Sequence, residues 1–350
     1  MNDLIDPSEK QADDLGAIAS GVRDNQEITK VQVVFDGSEF SNEKRLYANG
    51  RMQVRVTVLI TGNFGGPPES DKWPRVHLIH YQGGQRLTNG WVSAFDENQY
   101  AHSIESPYSA YSRGSAPHEE VNGEMQGEVG ISSLNSRTLR YDFWVSSSRV
   151  EFMKIAAEIR MMGGSGSVIY TNKPNVPGQL DESVTLNAIT PATYATSQFT
   201  FESQRVGGEH NGDRIYRYYL GAFPGGRQLK LLNWHSSQYG QDSLYPLEFF
   251  SSGEVKNDSS TKYFMGIIVP VRAARVDVNL PGGIASRYRI GVNQREGELT
   301  IVQALSSKYF DNYRVRKEPF FFTAIDMYGT EHRLSIRTDM TSRQFILERG

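Results

Sequence analysis

The stretch Lys44–Gly62, KRLYANGRMQVRVTVLITG, decides how this chain is read. Met52, Val54, Val56, Val58 and Ile60 fall on alternate positions, and Gln53, Arg55, Thr57 and Thr61 fill most of the gaps. A period of two sends successive side chains to opposite faces of a pleated ribbon. The pattern predicts a long, half-buried β-strand with its valines on the core side and Arg55 on the wet side. Asn49-Gly50 precedes it, the dipeptide that most readily takes the positive φ angles of a hairpin turn.

Outward from this strand the same grammar repeats. Val31, Val33 and Phe35 alternate before an Asp36-Gly37 turn, and Val76–Tyr81 reads as a strand that Gly83-Gly84 turns back toward Arg86–Thr88. Asn89-Gly90 opens another hairpin into Trp91-Val92, and Thr138–Ser146 is apolar and aromatic. Val150–Met162 fits two patterns. Ile155, Ala157, Ile159 and Met161 alternate as in a strand, whereas Ser148 with Glu151 resembles a helix capping box and Phe152, Ile155, Ile159 and Met162 share a helical face. The strand is preferred, because Gly163-Gly164-Ser165-Gly166 then turns it into Val168–Tyr170.

Strands resume at Phe199–Arg205, Arg214–Leu220, Gln228–Leu232, Leu247–Phe250 and Tyr263–Val271. Tyr288–Val292 and Leu299–Val302 flank a turn at Arg295–Gly297, and Phe320–Met327 and His332–Arg337 flank another at Tyr328–Glu331. Short strands with Gly- and Asn-rich turns, and no helices alternating between them, predict an all-β chain of two antiparallel β-sandwiches of immunoglobulin-like kind in tandem. A length of 350 residues also exceeds one ordinary core. The expected division is a polar arm over 1–27, a first sandwich over 28–172, a linker over 173–197 marked by Pro174, Pro177 and Pro191, and a second sandwich over 198–350. Leu15, Ile18 and Val22 share one helical face, so a short N-terminal helix is admitted in the arm.

Leu46–Gly62, with its Asn-Gly turn, alternating Val/Thr strand and second glycine turn, resembles the early strands of bacterial immunoglobulin-like domains of the invasin and intimin kind. The resemblance implies a module of an adhesin or of another extracellular or virion assembly, with no chemistry of its own.

Composition narrows the remaining classes. Hydrophobic residues make up 38% and aromatics 11%, ample for packed cores. A formal net charge of −3 leaves no electrostatic footprint for nucleic acid. With no cysteine, disulfides, thiolate metal sites and cysteine nucleophiles are excluded. No secretory signal is visible, and no run of about eighteen apolar residues predicts a transmembrane helix. Location on a virion or outside the cell would therefore require a route other than Sec export.

No nucleophile elbow, zinc-binding helix or calcium loop is found, so no catalytic, cofactor or metal residue is assigned. His77 and His80 stand on opposite faces of their strand. The aromatics that border loops, Trp73, Tyr108, Tyr111, Trp234 and Tyr239, are the candidate contacts for a protein partner or a glycan. The leading expectation is a non-enzymatic structural or interaction protein that assembles with itself or a protein partner, in a phage particle or bacterial surface structure. The alternative is a secreted-type β-rich effector, either a toxin or a carbohydrate-binding module.

Overall fold

The computed structural model describes residues 27–35, 42–64, 74–104, 137–161, 167–208, 212–250, 263–281, 283–308, 318–339 and 341–350. Among them the chain is all-β, with short 3-10 turns and no α-helix. The arm and its admitted helix lie outside the described residues.

The first half contains β1 (Glu27–Phe35), β2 (Glu43–Tyr47), β3 (Val54–Asn63), β4 (Arg75–His80) and β5 (Trp91–Ala94). It continues with β6 (Arg137–Ser147), β7 (Glu151–Arg160), β8 (Val168–Tyr170) and β9 (Val184–Ile189). One sheet runs β1-β3-β6-β5, and the facing sheet runs β2-β9-β7-β4 with β8 added to β7. Between them Val54, Val56, Val58 and Ile60 of β3 are fully buried with Leu46, Trp91, Ile155, Ile159 and Leu186. The alternation read from the sequence thus faces a sandwich core, and the ambiguous stretch is strand over Glu151–Arg160. Arg55 is half-buried rather than bare: its guanidinium lies 5.5 Å from the Trp144 ring and 4.0 Å from the Asp142 carboxylate.

Two expectations for the first half change. Asn49-Gly50 does not join a hairpin, because β2 and β3 belong to opposite sheets and β2 pairs in parallel with β9. Gly50 takes a φ of 71° but Asn49 does not have a positive φ, so the pair does not form the two-residue hairpin turn that the dipeptide predicts. The stretch 173–197 is not all linker. Val184, Leu186 and Ala188 of β9 alternate inward and complete the first core, bonded to β7 on one side and β2 on the other.

The second half contains β10 (Phe199–Gly207), β11 (Arg214–Ala222), β12 (Leu231–Ser236), β13 (Gln241–Asp242), β14 (Leu247–Phe250) and β15 (Tyr263–Ile268). It ends with β16 (Arg275–Asn279), β17 (Arg287–Gly291), β18 (Leu299–Ser306), β19 (Phe320–Asp326), β20 (Glu331–Asp339) and β21 (Gln344–Arg349). Sheets β10-β11-β18-β15-β14 and β13-β12-β19-β20-β21 enclose a core of Leu220, Leu231, Trp234, Ile268, Leu299, Ile301, Phe320, Phe322 and Ile336, among others. A third apolar cluster lies on the other face of the first of these sheets, where the β16–β17 ribbon covers Ile215, Met265, Ile267, Val302 and Ala304. Coverage on both faces explains the near-continuous apolar runs of β15 and β18, in which every residue is buried. β17 therefore pairs with β16 and not with β18, contrary to the hairpin expected around Arg295–Gly297.

Candidate interaction surfaces

The aromatic candidates separate. Trp73, Tyr108 and Tyr111 lie outside the described residues. Trp234 is 0% exposed in the second core, where its indole donates a 2.7 Å hydrogen bond to the Val269 carbonyl. It has no face left for a partner; a tryptophan beside a loop is drawn inside when its N–H finds an acceptor there. Tyr239 is half-buried, with its ring 5.9 Å from Phe320.

What the chain does bring together is a joint between its halves. The β19–β20 hairpin tip reaches the turn between β2 and β3. Asn49 first organises that turn: its side-chain oxygen accepts from the Arg51 and Met52 amides, each at 2.9 Å. Its Nδ2 then donates across the joint to the Tyr328 carbonyl at 2.8 Å. Arg51 donates to the Gly329 carbonyl at 3.2 Å and pairs with the Glu331 carboxylate at 2.6 Å, while the Ala101 amide donates to the Met327 carbonyl at 2.8 Å. Tyr328 packs against both the first and the second core and meets the Tyr47 ring edge-on at 5.4 Å.

The tip is itself held from beneath. Buried Asp326 accepts the Tyr328 and Thr330 amides on one oxygen, at 2.8 and 2.9 Å, and meets His332 Nε2 at 3.0 Å on the other. The His332 ring lies 5.5 Å from Tyr194 and 5.6 Å from Phe199. Burial, then the neighbouring Tyr47, Asp326 and Tyr328, push the Tyr194 phenol up to about 12, so it stays protonated through the physiological range. A His–Asp pair is two-thirds of a hydrolytic triad, but among the described residues no hydroxyl is hydrogen-bonded to the other ring nitrogen. Here the pair shapes a turn. No group of three metal-ligating side chains occurs among the described residues.

A second surface lies on the outer face of the β12-β19-β20 sheet. Strand register places His235 opposite Thr323, and Thr323 opposite Arg333, in one row across three strands. A groove of about 440 Å³ runs over this row and takes in Ser237 and Phe321. A second cavity of about 360 Å³, walled by Tyr194, Thr196 and Arg349, shares Glu331, Arg333, Leu334 and Gly350 with it. Phe321 is 44% exposed, and its backbone is pinned by Gln238, which accepts from its amide at 3.0 Å, and by Ser236, which donates to its carbonyl at 2.7 Å. In the run Phe320-Phe321-Phe322 a strand covered on one face leaves either the middle ring or the outer two outside, and here it is Phe321 that is exposed. Nothing local marked Arg333 or the joint.

No protein-family model and no curated protein sequence matches the chain. The likeness of Leu46–Gly62 to invasin-type repeats therefore stays a likeness of that segment. Among solved structures, the chain is similar to the C-terminal domain of the Streptococcus pyogenes antigen I/II-family protein AspA, at 10% identity and a TM-score of 0.20, over 92% of this chain and 98% of that one. It is similar at the same identity and TM-score to the serine-rich repeat adhesion glycoprotein Srr1 of Streptococcus agalactiae, over 88% and 94%. The C-terminal domain of the Streptococcus agalactiae AgI/II polypeptide BspA matches likewise, over 91% and 99%.

Proposed function

We propose that this protein is a non-enzymatic structural and interaction protein, two β-sandwich modules that act as one body within a larger assembly such as a phage particle or a bacterial surface structure. The joint supports this reading. A chain that only tethers two binding modules needs a flexible linker. Here Tyr328 packs on both cores, and Asn49 and Arg51 spend their donors on the opposite half. Such contacts fix an angle, which matters to a protein that transmits position or load. The polar arm over 1–27 is the segment proposed to engage neighbouring subunits.

Light scattering across micromolar concentrations, on the full chain and on a variant lacking residues 1–27, tests the reading. Larger species that shrink when the arm is removed support it. A monomer in both forms, with liposome binding by the full chain, would favour the effector alternative instead.

A further inference from the structure

We infer that the outer face of the β16–β17 ribbon receives the acidic arm, residues 1–27, of a neighbouring copy of this chain. The inference rests on the reading that the arm drives assembly, and it names the surface the arm meets. The first observation is the charge of that surface. Alternation sends Val276, Val278 and Ile290 into the third apolar cluster and leaves Arg275, Arg287 and Arg289 exposed on the opposite side. Pairing across the ribbon sets Asp277 opposite Arg289, ion-paired at 2.8 Å, and Asn279 opposite Arg287. Among the described residues neither Arg275 nor Arg287 is ion-paired, and neither is the exposed Arg272 just ahead of β16. Residues 272–289 thus hold four arginines against Asp277 alone, a formal charge of +3 in a chain of −3 overall. A surface of one sign attracts a partner of the other.

The second observation is the character of the occupant. Ahead of Glu27 the arm carries six carboxylates, Asp13 and Asp14 among them, against Lys10 and Arg23, a formal charge of −4. Between β16 and β17 the ribbon also bares Ile284 at 83% exposure, and the arm brings Leu15, Ile18 and Val22 as an apolar stripe. Acid matches arginine, and the stripe matches the apolar tip.

The third is position. Glu27, the root of the arm, pairs with Asn63 at the end of β3 remote from Val54, and Val54 follows the turn that meets the joint. In the second half the Met327 amide of the joint hairpin donates to the Lys230 carbonyl, and the Leu231 amide donates to that of Gly297, just before β18. β18 then runs away from the joint to Ser306, which donates to Asp213 at 2.6 Å. Tyr288, next to Arg287, donates to the same carboxylate at 2.8 Å. Arm root and ribbon tip therefore lie at the joint-remote ends of opposite halves, each roughly 25–30 Å from the joint at the rise of an extended strand. A contact between them joins successive copies head to tail. The ribbon is a firm receiver, because Arg217 donates to the Gly291 carbonyl at 2.6 Å from beneath.

Charge exchange between full-length chains tests the contact by light scattering. Arg275→Glu with Arg287→Glu takes the ribbon from +3 to −1, and Glu9→Lys with Asp13→Lys and Asp14→Lys takes the arm from −4 to +2. Each variant alone should lose about tenfold or more in apparent association at unchanged melting temperature, since like charges then face each other. Mixing the two should restore the larger species, because each arm again meets a ribbon of opposite sign. A ribbon variant of wild-type size, or a mixture that stays dissociated, would overturn the inference while leaving the effect of removing residues 1–27 intact. So would ribbon-dependent binding of a short DNA duplex or of phosphatidylserine vesicles with size unaltered, which would assign the arginines to another anion. A wild type that is monomeric, or indifferent to loss of residues 1–27, would overturn the assembly reading and this inference with it.

Discussion

Gly329→Ala should uncouple the two halves. Gly329 sits at the hairpin tip with φ +77°, and a Cβ built there would lie 2.6 Å from the Arg51 Cβ. Non-bonded carbons settle at about 3.5–4.0 Å, so the tip must retreat by roughly 1 Å. That retreat breaks a short list of contacts. The Asn49–Tyr328 and Ala101–Met327 hydrogen bonds contribute about 1 kcal/mol each. The Arg51–Glu331 pair, both partners about a third exposed, adds roughly 0.5 kcal/mol. The Tyr47–Tyr328 edge contact adds about 1 kcal/mol. The joint is thus worth about 3–4 kcal/mol, and positive φ at alanine costs about 1 kcal/mol more within the hairpin. Scanning calorimetry should show one cooperative transition for wild type and two separated transitions for Gly329→Ala. Gly329→Asn isolates the cause, because asparagine tolerates the left-handed region yet still carries the clashing Cβ. A single transition at the wild-type temperature in both variants would refute the coupling.

Other substitutions probe the parts. Val56→Asp places an unpaired charge in the first core and should cost about 4 kcal/mol or more, while Arg55→Ala loses half-exposed contacts such as those to Trp144 and Asp142 and should cost about 1 kcal/mol; equal losses in chemical denaturation would contradict the facing of β3. Trp234→Phe leaves the buried Val269 carbonyl without its indole donor and should cost about 1–3 kcal/mol, with no effect on partner binding, whereas a binding defect at full stability would return Trp234 to the surface. Burial holds the Glu298 carboxyl above its ordinary pKa, with Arg295 opposing, so its contribution to stability is complete below the unfolded carboxylate range and is lost as pH rises through the folded pKa. Glu298→Gln should therefore flatten melting temperature against pH in the range just above the unfolded value and be at least as stable as wild type at neutral pH, since Arg295 keeps Glu202 at 2.7 Å; a loss confined to neutral pH would show that the Arg295–Glu298 attraction wins.

The strands were legible and their partners largely were not. Alternation at Val54–Ile60 is a local signal, because burial on one face imposes a period of two on the sequence itself. The partner of a strand is set by the whole fold, so the turn at Asn49-Gly50 could not reveal that β2 and β3 enter opposite sheets. β9 was lost among Pro174, Pro177 and Pro191, although VTLNAI alternates as clearly as other strands. The joint had no sequence mark at all. Asn49 reads as a turn residue, and its second use, bonding a residue 279 positions away, exists only in three dimensions.

The rigidity of the joint can be measured directly, because a chain with no cysteine accepts two introduced ones without background labelling. Spin labels at Ser93→Cys on β5 and Ser203→Cys on β10, both exposed positions on opposite sides of the joint, report the distance between the halves by double electron–electron resonance. A single narrow distance distribution that broadens when Gly329→Ala is added is the predicted result. A broad distribution in the wild-type background, unchanged by Gly329→Ala, would show two independently moving sandwiches and contradict the fixed body on which the assembly role rests.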